Sequence, residues 1–144
     1  MPRWGASNWL NSPPTFSPVL IGNNLPFGVL RFPTANATQV PGDTIIRIGG
    51  FDPDDDLVHT LTVVSLDGVM IYDGTNGEFT AGYVGHVKDI GGRRVIEFAP
   101  NTVFAYGSTH RVTAHFEDNL GNAFDDAWVF TVQLDPSCYT GNNL

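Results

Sequence analysis

The sequence predicts an all-β chain folded as an antiparallel β-sandwich, and three observations carry that expectation. The first is strict alternation. From His110, the side chains of Val112, Ala114 and Phe116 point one way and those of Arg111, Thr113, His115 and Glu117 the other. After a turn cluster the alternation resumes, with Trp128, Phe130, Val132 and Leu134 opposite Val129, Thr131 and Gln133. A period of two marks a strand with one buried face. The second is punctuation. Sixteen glycines and ten prolines interrupt the chain with turn signals roughly every 8–12 residues, the spacing of a sandwich. The third is that no helix-length segment shows a 3.6-residue period. A chain of 144 residues suits one domain with a real core.

Taken in order, the chain begins with a segment unlike the rest. Residues 1–37 hold six of the ten prolines, Pro2, Pro13, Pro14, Pro18, Pro26 and Pro33. Proline at this density prevents helix and central strand. Yet Trp4, Trp9, Leu10, Phe16, Leu20 and Phe27 lie between them, and a disordered linker is normally poor in large apolar residues. The segment reads as an extended arm that lies against a protein surface, with those six side chains as its partner-binding residues.

Residues 38–135 are expected to form the sandwich and 136–144 a tail, with a possible first strand already at Gly28–Phe32. Thr44–Ile48 is the next strand, Ile46 and Ile48 inward and Arg47 outward. Gly49 to Asp56 reads as a loop. Leu57 to Val64 is rich in β-branched residues and reads as a strand with Thr60 and Thr62 on the wet side. Leu66-Asp67-Gly68 is a hairpin signal, because Asp-Gly supplies the positive φ of a primed turn. Val69–Tyr72 returns, and Asp73–Gly77 turns again. Phe79 to Val87 places Phe79, Ala81, Tyr83, Gly85 and Val87 on one face. Gly91-Gly92 turns the chain, and Arg94–Ala99 carries Ile96 and Phe98 inward. In the turn after Glu117, Asp118 can accept a bond from backbone two residues on.

Two sets of residues carry a family resemblance. Pro100, Phe104, Tyr106-Gly107-Ser108-Thr109, Val112-Thr113-Ala114, Asp118-x-x-Gly121-Asn122 and Trp128-x-Phe130-Thr131 resemble the second half of bacterial Ig-like domains, repeated modules of surface-layer and tailed-phage virion proteins. Ser65 to Gly74, with Phe79 and Gly82-Tyr83, is similar to Ig-like modules of phage tail and capsid proteins. The resemblance implies an Ig-like antiparallel β-sandwich of about seven to nine strands and a role in display or assembly. It implies no catalytic residues.

Charge and cysteine content narrow the function classes. The net charge is −8. Residues 1–40 hold Arg3 and Arg31 and no acid, whereas the remainder holds the other five basic and all fifteen acidic groups. An acidic body repels phosphate backbones, which argues against a nucleic-acid partner. Cys138 is the only cysteine, so no intrachain disulfide can form. No run approaches ~20 apolar residues, so no helix is expected to span a membrane. Nothing after Arg3 resembles a secretory signal.

Candidate chemistry is sparse. Asp52, Asp54 and Asp56 place carboxylates at alternate positions, as a calcium loop opens, with Asp118, Asp125 or Asp126 as further ligands if loops meet. Leu57 and Val63 stand where an EF-hand needs Gly and Glu, so any calcium site belongs to a sandwich loop. His59, His86, His110 and His115 show no metal-binding spacing. No Gly-x-Ser-x-Gly elbow is present. Arg93 and Arg94 are expected to pair with an acid. The expected function is a non-enzymatic structural protein of a tailed-phage virion, a capsid decoration or tail component. It would be made in the host cytoplasm, docked through its arm to other virion proteins, and repeated as a homo-oligomer in a symmetric assembly. The alternative is an extracellular adhesion or glycan-binding Ig-like module.

Overall fold

The computed structural model describes residues 24–137. Ten strands make two sheets. β1 (Phe27–Phe32), β3 (Ile46–Phe51), β8 (Arg93–Pro100) and β7 (Tyr83–Ile90) form an antiparallel sheet in the order β1-β3-β8-β7. The second sheet has the order β2-β10-β9-β4-β5-β6. Its strands are β2 (Ala37–Val40), β10 (Ala123–Val132), β9 (Thr109–Glu117), β4 (Val63–Leu66), β5 (Val69–Asp73) and β6 (Glu78–Phe79). Its pairs are antiparallel except β2 with β10, which is parallel. The first sheet is the A-B-E-D sheet of an Ig domain and the second its G-F-C-C′-C″ sheet, with β2 added outside the last strand. The chain is an Ig-like β-sandwich of variable-domain topology.

The sheets close over a core in which alternation does its work. Ile46, Ile48, Ile96 and Phe98 come from the first sheet, and Val64, Ile71, Val112, Phe116, Phe130 and Val132 from the second. Burying each such side chain contributes about 1.5–3 kcal/mol relative to leaving it in water. Gly50 and Phe116 meet across the gap, on the B and F strands that antibody domains join by a disulfide. A Cβ on Gly50 would stand 2.8 Å from the Phe116 ring.

That contact explains one departure from expectation. Gly49, Gly50 and Phe51 continue β3 and do not open a loop, because the facing ring needs a strand without a side chain there. A second departure lies at 57–62. Leu57 makes one isolated bridge with Asp118, His59–Leu61 forms a 3-10 turn, and the strand starts only at Val63. The turn resets the parity, so Thr62 is buried rather than wet. A third lies at 79–87, where the chain leaves β6 in the second sheet and enters β7 in the first. Tyr83 and Val87 still face the core. These splits raise the strand number above the seven to nine expected. Leu134 falls beyond β10 and is exposed.

The hairpin at Asp67-Gly68 is as expected, with both residues at positive φ. The sandwich begins inside the range 1–37 assigned to the arm. β1 pairs with β3 through a bulge between Gly28 and Leu30. Arg31 ties this edge to the other sheet: it pairs with Asp126 and sits 5.7 Å above the Trp128 ring. Trp128 Nε1 donates to the Pro33 carbonyl at 2.8 Å.

Candidate functional site

Three loops meet at one end of the sandwich, the end where variable-type Ig domains carry their binding loops. The loop after β3 brings Asp52 and Asp56, and the turn between β9 and β10 brings Asp118. One carboxylate oxygen from each lies within 4.8 Å of the others. The backbone sets this meeting. Asp52 N donates to Gly92 O at 2.9 Å, in the turn between β7 and β8. Asn119 N donates to Asp56 O at 3.1 Å, and Val58 N to Glu117 O at 2.7 Å. Asp118 itself is held by its turn: Oδ1 accepts from Leu120 N at 2.9 Å and Asn122 N at 2.8 Å, and Oδ2 from Asn122 Nδ2 at 2.9 Å. Gly121 takes φ +87° to let the chain return.

The electrostatics of the three acids diverge. Asp118 titrates below the usual carboxylate range, because its bonds from Asn122, Leu120 and Gly121 outweigh the burial that opposes them. Asp56 is pushed up to about 6, first by burial, then by its contact with Asp52 and by the charges of Asp52, Asp118 and Asp54. Asp52 is 0% exposed. Its Oδ1 accepts from Asp54 N at 2.8 Å, while Asp52 Oδ2 and Asp56 Oδ1 are buried without a hydrogen-bond partner. A buried carboxylate oxygen without a partner costs free energy until a proton or a cation satisfies it.

The expected triplet Asp52, Asp54 and Asp56 is therefore divided. Asp54 points away and accepts from Asn24 N at 3.0 Å and Asn24 Nδ2 at 3.1 Å. Alternate positions share a face only in a strand, and this segment is a turn in which Asp55 has φ +57°. Asp118 takes the third place. Asp125 and Asp126 are elsewhere: Asp125 binds His115 at 2.7 Å and Asp126 binds Arg31.

His59 and His86 lie apart, near Asp89 and Glu97 respectively. Arg94 does pair with an acid, its Nη1 reaching both oxygens of Asp89 at 2.9 Å. It is also buried against Tyr72, whose hydroxyl oxygen accepts from Nη2 at 2.8 Å. That burial has a sequence signal, since Arg94 shares the parity of Ile96 and Phe98.

A network missed in the sequence joins Ser108, His110 and Asp67. Ser108 Oγ is 2.7 Å from His110 Nε2, and His110 Nδ1 is 2.7 Å from Asp67 Oδ2. The order resembles a nucleophilic relay, but Ser108 Oγ has a second partner, the Ala105 carbonyl at 2.6 Å. The single hydroxyl hydrogen of Ser108 can serve only one of its two neighbours, the Ala105 carbonyl or His110 Nε2. The neighbouring amides of Gly107 and Ser108 are spent on Gln133 O and Ala105 O, where an oxyanion hole would need them free. With Asp67 Oδ1 accepting from Arg111 N at 2.8 Å, the network fastens two turns to β9.

The arm residues Trp4, Trp9, Leu10, Phe16 and Leu20 lie outside the described residues. Phe27 is described. It opens β1 and packs edge-on against Phe51, ring centroids 5.5 Å apart. Leu25 just before β1 and Phe27, Val29 and Phe32 within it are 63, 46, 37 and 42% exposed, so this edge strand and the residue before it show water several large apolar side chains.

No protein-family model matches the chain, and no curated protein matches it in sequence. Solved structures do. The GspB Siglec domain superposes with a TM-score of 0.53 at 10% identity, over 79% of this chain and 60% of that one. CopC from Methylosinus trichosporium OB3b matches with a TM-score of 0.48 at 13% identity, over 76% of this chain and 94% of that one. Murine CRIg gives 0.45 at 15% identity, over 76% and 98%. At 10% identity the likeness to the Siglec domain is one of fold alone, and it agrees with the Ig-like β-sandwich that the strand order gives.

Proposed function

We propose that this chain is a non-enzymatic structural protein of a tailed-phage virion, a capsid decoration or a tail component. The N-terminal arm docks it to neighbouring subunits, and the Ig-like sandwich is the rigid body the arm carries. The observation that carries this reading is the exposed apolar side chains of Leu25, Phe27, Val29 and Phe32, continuous in sequence with the Pro- and aromatic-rich segment before them. An unpaired strand edge with exposed large side chains is a site for another chain to cover. The type of Ig-like module found in virion proteins, suggested by the Asp118-x-x-Gly121-Asn122 turn and the strands around it, supports the same reading. So does an acidic body that repels nucleic acid, while the arm itself carries no acid.

Burial of Trp4, Trp9, Phe16 and Phe27 on a neighbour would contribute at most roughly 1.5–3 kcal/mol each. Repetition in a symmetric assembly would multiply a modest contact by avidity. A photo-cross-linking residue in place of Phe16 tests the docking in purified virions. Cross-links to a different virion protein, or to another copy of this chain, are the expected product. Cross-links confined to the chain's own sandwich would overturn the proposal and favour a free-standing module.

A further inference from the structure

Asp52 presents an oxygen that the fold has stripped of water and left facing another acid, Asp56, with no donor group of its own. It follows β3, at the end of the first sheet, and is wholly buried. Its Oδ1 is used by the loop, but Oδ2 has no partner, and Asp56 Oδ1 beside it has none. A fold that only needed a turn here would leave these oxygens to solvent. The third acid, Asp118, comes from the other sheet, so the gap between the oxygens spans the two layers of the sandwich.

We propose that Asp52, Asp56 and Asp118 form a calcium site that locks the loop end of the sandwich. Three oxygens within 4.8 Å of one another lie at most about 2.8 Å from a common centre, so a shift of a few tenths of an ångström brings all three into the calcium range of ~2.3–2.6 Å. The donors are all hard oxygens, which select calcium or magnesium over soft metals. Calcium is favoured over magnesium by the size of the set. Three carboxylates from two loops converge, where magnesium is usually held by one or two and calcium takes six to eight oxygens in a flexible shell. A body with ten more acidic than basic groups beyond residue 40 adds long-range attraction for a cation.

The site would also reach the residues just before β1. Asp54, one residue from both the Asp52–Pro53 and Asp55–Asp56 steps, accepts two bonds from Asn24. A cation that fixes the 52–56 loop would therefore also steady Asn24, ahead of β1. The cation site stands on its own geometry. It can be absent while the docking proposal survives, and the converse holds as well.

The test uses the full chain, with thermal unfolding in EGTA, in 10 mM calcium chloride and in 10 mM magnesium chloride, and calorimetric titration with calcium. One cation per chain is expected, with a midpoint raised by roughly 5–10 °C at a hundredfold excess over Kd. Magnesium is expected to give less than half that shift. Asp56→Asn, whose side chain supports no turn, should fold in EGTA and lose the calcium shift. Asp54→Asn should keep it. Equal midpoints in EGTA and calcium, an equal shift with magnesium, or equal loss in both variants would overturn the proposal.

Discussion

Gly50 has no space beside it, because the Phe116 ring lies where a side chain would begin. Gly50→Ala should therefore cost about 1–3 kcal/mol through overpacking, read as a lower denaturant midpoint at unchanged slope. An unchanged midpoint would mean that β3 and β9 are less tightly packed than described. His115 offers a second test at this scale. Its Nδ1 contacts Asp125 at 2.7 Å and its Nε2 contacts Glu117 at 3.2 Å. The bond to Asp125 is the chief cause that raises the imidazole above its ordinary 6.5, with Glu117 adding and burial opposing. A raised folded value means the contribution to stability is full below 6.5 and is lost as pH rises through the folded value. NMR titration should give a His115 midpoint above 6.5, brought down by Asp125→Asn. A midpoint at or below 6.5 in the unaltered protein would contradict the contact.

At the scale of elements, what the sequence made legible followed from parity. The inward sets Val112-Ala114-Phe116 and Trp128-Phe130-Val132 were readable because nothing interrupts β9 or β10, and the Asp67-Gly68 hairpin because its φ demand names its residues. Parity failed where a turn sits inside an apolar run. The 3-10 turn at His59–Leu61 carries no Gly or Pro, and it inverted the expected placement of Thr62. The same limit left the acid cluster partly legible, with Asp118 readable only as one of three further acids that could join if loops met. Asp52 and Asp56 lie in one loop, but Asp54 between them is turned out by the backbone at Asp55, and the meeting with Asp118 is a property of sheet stacking that no local pattern records. A further prediction belongs here. Because β1 starts at Phe27 and pairs with β3, a chain of residues 24–144 should keep the sandwich. Its far-ultraviolet spectrum should remain that of strands, and its melting midpoint should stay within a few degrees of the full chain. Loss of the cooperative transition would show that residues 1–23 belong to the core.

At the scale of the whole molecule, the two ends of the sandwich differ in kind. The loop end gathers Asp52, Asp56 and Asp118 with the turn at Gly92 and with Asn24 held on Asp54. Away from it, the network of Asp67, Ser108 and His110 is closed by its own hydrogen bonds. The most direct measurement compares particles banded on a density gradient from cells producing the full chain with those from cells producing residues 24–144, by quantitative mass spectrometry. The full chain should band with the particles at a fixed copy number, and the shortened chain should stay in the soluble fraction. Both chains in the soluble fraction, or both on the particles in equal number, would contradict a docking role for the N-terminal arm.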